Sequence, residues 1–179
     1  MHLALWLLLI AGPIGATDVL YFHLWKFKLY RRPQSRKEEL THLIRGAAVP
    51  AIFAMLLLGR PEGRYFWIVA ALFFFDTINS LIDVMIEPAS RASLGGVPPA
   101  ELAVHFIGTS MMGAAWATFM IAGWATRTAP PTLAHWAPGI FPSWLASMAW
   151  GAVGMSVLLV LFEAALVMKY GKANARTIK

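Results

Sequence analysis

Five apolar stretches, each about as long as a bilayer is thick, leave this chain little choice of architecture. A helix needs about 20 mostly apolar residues to cross the hydrocarbon layer. Residues 3–25, 39–58, 65–87, 101–125 and 143–168 each supply such a run. Backbone N–H and C=O groups find no water in lipid, so a spanning segment satisfies them internally as a helix. The expected fold is therefore all-α: an integral membrane bundle of five transmembrane helices, forming one domain over residues 1–179. Residues 26–37, 59–64, 88–99 and 126–142 carry Pro, Gly, Ser and charge and read as connections. A bend is expected in the first span at Gly12-Pro13. The small-residue stretch ending near Ala16 also suits a cleaved secretory signal. No basic segment precedes it, however, and the apolar run resumes to Trp25, which favours a retained span.

The basic residues give the orientation. Lys26, Lys28, Arg31, Arg32, Arg36 and Lys37 crowd the first connection, and Lys169, Lys172, Arg176 and Lys179 the tail. The opposite side holds only Arg60, Arg64 and Arg127. Lysine and arginine collect on the cytoplasmic side, so the N-terminus is expected outside and the C-terminus in the cytoplasm, in a membrane such as the bacterial inner membrane. The net charge of +6 is thus a mark of orientation, and nucleic acid is excluded as a partner. Trp25, Trp67, Trp124, Trp136 and Trp144 fall near span ends, as an interfacial aromatic belt does. The connection 126–142, with four prolines and His135, is expected to lie along the outer surface.

Against this apolar background the acidic residues are misplaced. Eight of the nine, Asp18, Glu38, Glu39, Asp76, Asp83, Glu87, Glu101 and Glu163, fall in or at one edge of the spans, toward the cytoplasmic side. His23, His42 and His105 fall at the same level. A carboxylate at a bilayer centre costs about 3 kcal/mol even on the gentlest scale, so such a cluster implies a cation, a proton or a strong donor. With no cysteine in the chain, disulfides, thiolate nucleophiles, Cys-ligated zinc and iron–sulfur clusters are excluded. Any metal must be held by His, carboxylate and water.

At a rise of 1.5 Å per residue, His23, His42, Asp83, His105 and Glu163 lie roughly 4 to 10 Å from the cytoplasmic boundary and can converge. Asp76, Asp83 and Glu87 share one helical stripe within about 40°, flanked by Asn79. Glu87 alone suits a solvated helix end, whereas a helix C-terminus repels Asp83 and Asp76. On the second span, Ser35-Arg36-Lys37-Glu38 matches a capping box, which accounts for Glu38. That leaves Glu39 and His42. Glu-x-x-His is the spacing of di-iron and di-manganese carboxylate proteins in four-helix bundles, although one such match arises by chance in many helices. A first-turn dipole role for Glu39 and a backbone bond for His42 are the plainer alternatives. Glu101 and His105 stand four residues apart, as paired ligands on one helix do; Glu101 also suits a proline-initiated helix start.

His23 and Glu163 are single contributions. The plain readings are an interfacial imidazole beside Tyr21 and Trp25, and an ion pair between Glu163 and a base such as Arg45. Asp18 and Asp76 lie deeper and suit a proton path or a second shell. The Gly95-Gly96 turn permits the 88–99 connection to fold back, so that Arg91 meets a carboxylate or a lipid phosphate. No P-loop, GxSxG, HExxH or dinucleotide motif occurs.

These residues lead to an expected function: a membrane-embedded, metal-dependent oxidoreductase acting on a lipid or other apolar substrate at the cytoplasmic face. Its metal ligands are expected among His23, Glu39, His42, Asp83, Glu87, Glu101, His105 and Glu163. Asp18, Asp76, Asn79, Arg45 and Arg91 form the supporting set. One or two iron ions rank first for a carboxylate-rich helical site, ahead of zinc or manganese, and haem ranks lower. The competing classes are a proton- or cation-coupled transporter or channel subunit, a b-type haem subunit, and a zinc-dependent intramembrane hydrolase. The small size also leaves room for a membrane partner subunit or a second copy of the chain. A shared metal requires His42 and His105 to lie within about 10 Å of each other.

Overall fold

A computed structural model describes residues 1–136 and 143–177, with side chains as far as Tyr170. The expected surface course of 126–142 is thus traced only to residue 136. Residues 137–142, the side chains of Lys172 and Arg176, and Lys179 lie outside the described residues.

Among the described residues, five helices are long and apolar enough to cross a membrane. They are α1 (His2–Thr17), α2 (Arg36–Leu58), α3 (Arg64–Arg91), α4 (Pro99–Gly123) and α5 (Ser143–Thr177). The α1 rod does not stop at Thr17; it continues as a π-helical segment over Asp18–Lys26. Pro13 lies inside α1, and Thr17 Oγ1 donates to its carbonyl at 2.8 Å. Two short 3₁₀ turns, Leu29–Arg31 and Pro33–Ser35, carry the chain from α1 to α2. Helix α1 packs along α4, and α2 packs along both α3 and α5.

The two halves of the bundle differ in chemistry. Leu5, Leu8, Ile52, Leu56, Phe66, Phe73 and Phe119 are almost completely buried and fill one half. Phe66 and Phe119 stack there with centroids 5.1 Å apart. Phe74, Phe75, Ile121, Leu158 and Leu161 instead turn outward, as lipid-facing side chains do. Between spans in lipid, apolar surface alone gives no drive to associate, so close packing and polar pairing hold the helices together. The polar residues gather in the other half, where the basic first connection also lies.

Three features depart from expectation. Helix α3 runs on through Pro88 to Arg91, where a connection was expected from residue 88. Proline removes one backbone hydrogen bond inside a helix. Burial of Ser90 and Arg91, 4% and 0% exposed, on that extra turn opposes the loss. Ser35 precedes α2 but makes no side-chain capping bond, so the capping-box assignment fails; its hydroxyl donates across to Ser90 O at 3.4 Å.

At the apolar end, two connections form a small antiparallel sheet, β1 (Arg60–Glu62) with β2 (Thr132–Ala134), pairing Arg60 with Ala134 and Glu62 with Thr132. Glu62, the ninth acid, is engaged there by Arg60 Nε at 2.9 Å. Trp136 Nε1 donates to Leu56 O at 3.1 Å and so ties the second strand down onto α2. Gly63 makes the tight approach possible: its φ is +55°, and its N–H donates to Thr126 O at 3.0 Å. A Cβ there would collide with Ala129 O. Gly63→Ala is therefore expected to cost about 2 kcal/mol, read as a lowered thermal midpoint of the detergent-solubilised protein.

Candidate metal centre

The π-helical turn on the α1 rod decides what the first span contributes. Asp18 and His23 stand five residues apart; at the α-helical 100° per residue they would point about 140° away from each other. In a π-helix the hydrogen bond runs from i to i+5, which brings such residues onto one side. Both are buried, at 5% and 0% exposure. Asp18, expected too deep to share coordination, thus falls in one group with His23, His42 and His105. One ligand atom from each of the four lies within 4.8 Å of all the others. Metal–nitrogen and metal–oxygen bonds of 2.0 to 2.2 Å keep any two ligand atoms within about 4.4 Å, so small side-chain movements suffice. The ring centroids of His23 and His42 are 4.0 Å apart and those of His42 and His105 are 6.1 Å apart, well inside the separation a shared metal demands.

Neighbouring carboxylates extend this group in three directions. Glu39 and Glu163 form a second cluster with His23, and Glu87 and Glu101 a third with His105. His105 Nε2 lies 2.8 Å from Asp18 Oδ2, and its Nδ1 lies 3.4 Å from Glu87 Oε1. Both carboxylate oxygens of Glu39, Glu163 Oε1, Asp18 Oδ1 and Glu87 Oε1 are buried without a hydrogen-bonding partner among the described residues. Unpaired buried acceptors cost about 1 to 3 kcal/mol each, and more when charged. Bound cations or shared protons are what relieve such a cost.

Arg91 governs the remaining group. It is fully buried, and its Nε donates to Glu38 Oε1 at 2.8 Å while Nη2 donates to Glu101 Oε1. Nη2 also stands 3.2 Å from His23 Nε2. A guanidinium has no acceptor, so that imidazole nitrogen accepts, and a neutral His23 then turns Nδ1–H toward Glu39, 3.4 Å away. Ligation through His23 Nε2 requires Arg91 to withdraw. Glu38, assigned to a helix cap from its spacing, is instead an internal counter-ion with 0% exposure. The expectation that Arg91 would meet a carboxylate holds, and it meets two.

Asp83 sits outside the four clusters and acts through His42. Its Oδ2 lies 3.2 Å from His42 Nε2, and Thr41 Oγ1 donates to its Oδ1 at 2.5 Å. This is the arrangement by which an outer carboxylate fixes a liganding imidazole, leaving His42 Nδ1 for a ligand. Asp76 and Asn79 stay apart from the cluster. Asp76 Oδ1 pairs with Arg45 Nε at 3.4 Å, so Arg45 serves Asp76 and not Glu163, and Asn79 donates to Thr41 O at 2.9 Å. Thr41 has no signal in the sequence and Ser35 reads there as a cap, because a hydroxyl shows its cross-helix partner only in the fold.

No protein-family model matches the chain, and no curated protein or solved structure shows a significant match to it.

Removing one partner from a buried ion pair costs about 3 to 5 kcal/mol, because the other charge is left unpaired. Arg91→Gln is therefore expected to destabilise the folded protein by about that much. The double variant Arg91→Gln/Glu38→Gln should recover a large part of the loss. Chemical denaturation in detergent, followed by tryptophan fluorescence, measures both.

Proposed function

We propose that this chain is a membrane-embedded, metal-dependent enzyme whose centre uses His42, His105 and Asp18. Glu39, Glu87 and Glu163 are within reach of one or two divalent ions at the same centre. The observation that carries this reading is the convergence of Asp18, His23, His42 and His105 within 4.8 Å, surrounded by buried carboxylate oxygens that lack partners. Two imidazoles, His42 and His105, among carboxylates suit iron, manganese or zinc better than magnesium or calcium. Iron comes first, since carboxylate-rich sites between helices are typical of it, and with iron the chemistry is oxidation or reduction of an apolar substrate. Zinc in the same donors would activate water for hydrolysis.

Orientation belongs to the proposal too. The basic residues of 26–37 put the polar end in the cytoplasm by the positive-inside rule, and an inner membrane is the setting that fits. A proton or cation pathway draws less support, because large buried side chains such as Leu56, Phe66 and Phe73 fill the other half of the bundle. A transport route favours polar groups at both ends.

Metal analysis of the purified protein is expected to find one to two iron, manganese or zinc ions per chain, an order of magnitude set by the ligand count. His42→Ala and His105→Ala should each lower that content by more than half, while Asp76→Asn leaves it unchanged. Asp83→Asn should weaken metal affinity by about 10- to 100-fold through misorientation of His42. Unchanged metal content in both histidine variants sinks the ligand set. A Soret band in the optical spectrum moves the case to haem. Metal-free protein that conducts protons in liposomes, and loses that flux with Asp76→Asn, moves it to transport.

A further inference from the structure

Beside the polar cluster, between the α1/α4 pair and the α2/α5 pair, lies a cavity of about 140 Å³. One end is polar: Asp18, His42, His105 and Glu163 line it. Glu163 is 1% exposed and Asp18 5%, and each has a carboxylate oxygen without a hydrogen-bonding partner among the described residues. Most of the remaining wall is apolar, broken by Arg45, Thr109 and Ser156, and it includes Gly12, Gly15, Gly46 and Gly108. Gly12, Gly15 and Gly108 leave space, whereas Gly46 lets Val160 of α5 approach α2 closely. A Cβ at Gly12 or Gly15 meets nothing within 4 Å, and one at Gly108 meets only Ile14 Cγ2 at 3.7 Å. Two lining residues on the α1/α4 side, Gly15 and Thr109, are exposed, so the cavity reaches the outer face of the bundle near mid-helix.

We propose that this cavity is a binding chamber for a single hydrocarbon chain bearing an oxygen-containing group at one end, which enters sideways from the lipid past Gly15 and Thr109. The chemistry at the polar end rests on the metal-centre reading above; the chamber itself does not. Size favours a slender occupant. An engineered apolar cavity of about 150 Å³ takes up one benzene, so this chamber holds one ring or a few methylenes while the remainder of the chain stays among the lipids. Polarity fixes the direction, because Ser156 already donates to Ala152 O and Arg45 is paired with Asp76, whereas Asp18 and Glu163 at the polar end each keep an unpartnered oxygen. An opening at mid-helix depth meets acyl chains and no water, which selects a membrane-dissolved ligand over a soluble one.

The test uses the full-length protein in phosphatidylcholine vesicles, with palmitic acid carrying a diazirine close to its carboxyl group. A second arm uses a prenyl alcohol carrying the same photolabel near its hydroxyl, which tells an acyl source from a prenyl one. Photolabelled positions are mapped by mass spectrometry, and metal per chain is measured alongside. Labelling by one of the two probes is expected within residues 104–112 and 156–163. It should fall at least tenfold in Gly108→Leu, which fills the chamber, and stay unchanged in Gly113→Leu, which lies outside the lining and whose Cβ would meet nothing within 4 Å. Gly15→Leu repeats the filling from the opposite wall if Gly108→Leu does not fold. Labelling that ignores both filling variants, or that falls only on lipid-facing residues such as Phe106 and Ile121, overturns the chamber. Chamber labelling in a protein that binds no metal leaves the chamber standing and sinks the metal centre alone; retained metal without chamber labelling does the reverse.

Discussion

A guanidinium with no access to water holds the polar half of this protein together. Arg91 joins Glu38 of α2 and Glu101 of α4 and touches His23 on the π-helical extension of α1, so four of the five helices meet at one side chain. In a low-dielectric interior such an arrangement is stable only as a set: each charge is affordable while its partners are present. The same arginine also limits the chemistry. It neutralises Glu38 and one oxygen of Glu101 and occupies the Nε2 face of His23, which leaves Asp18, His42, His105, Glu39, Glu87 and Glu163 as the groups with unspent donor capacity.

The division of labour within the cluster follows from this. Asp83 and Thr41 fix His42 from behind, and Arg45 keeps Asp76 occupied at a distance from it. Carboxylates that already have partners frame the site, and those without partners face its interior. The cavity beside the cluster shares Asp18, His42, His105 and Glu163 with it, so polar side chains and an apolar wall adjoin. The small sheet at the opposite end, clamped by Trp136 on Leu56, closes the bundle away from the site.

The spans were legible in the sequence because bilayer thickness imposes a length and a composition on each of them. So was the convergence of His23, His42, His105, Glu39, Glu87 and Glu163, since helical rise fixes depth once the spans are placed. What stayed hidden depended on local geometry that residue spacing does not encode. An α-helical rise of 1.5 Å per residue sets Asp18 too deep, because the chain winds as a π-helix over Asp18–Lys26. Glu38 was lost to a cap because Ser35 and Glu38 have the right spacing, while the decisive partner, Arg91, lies 53 residues away. The extra turn through Pro88 was invisible for the same reason: a long-range pairing overrode a local helix breaker.

Glu163 is supplied by α5, the last helix in the chain, while every other member of the cluster comes from the first four. Synthesis proceeds from the N-terminus and earlier segments fold first. A growing chain with its first four helices packed therefore already has its arginine lock and its imidazoles, but one wall of the cluster is still missing. Until α5 docks against α2, the cluster lacks Glu163 and stays open on that side.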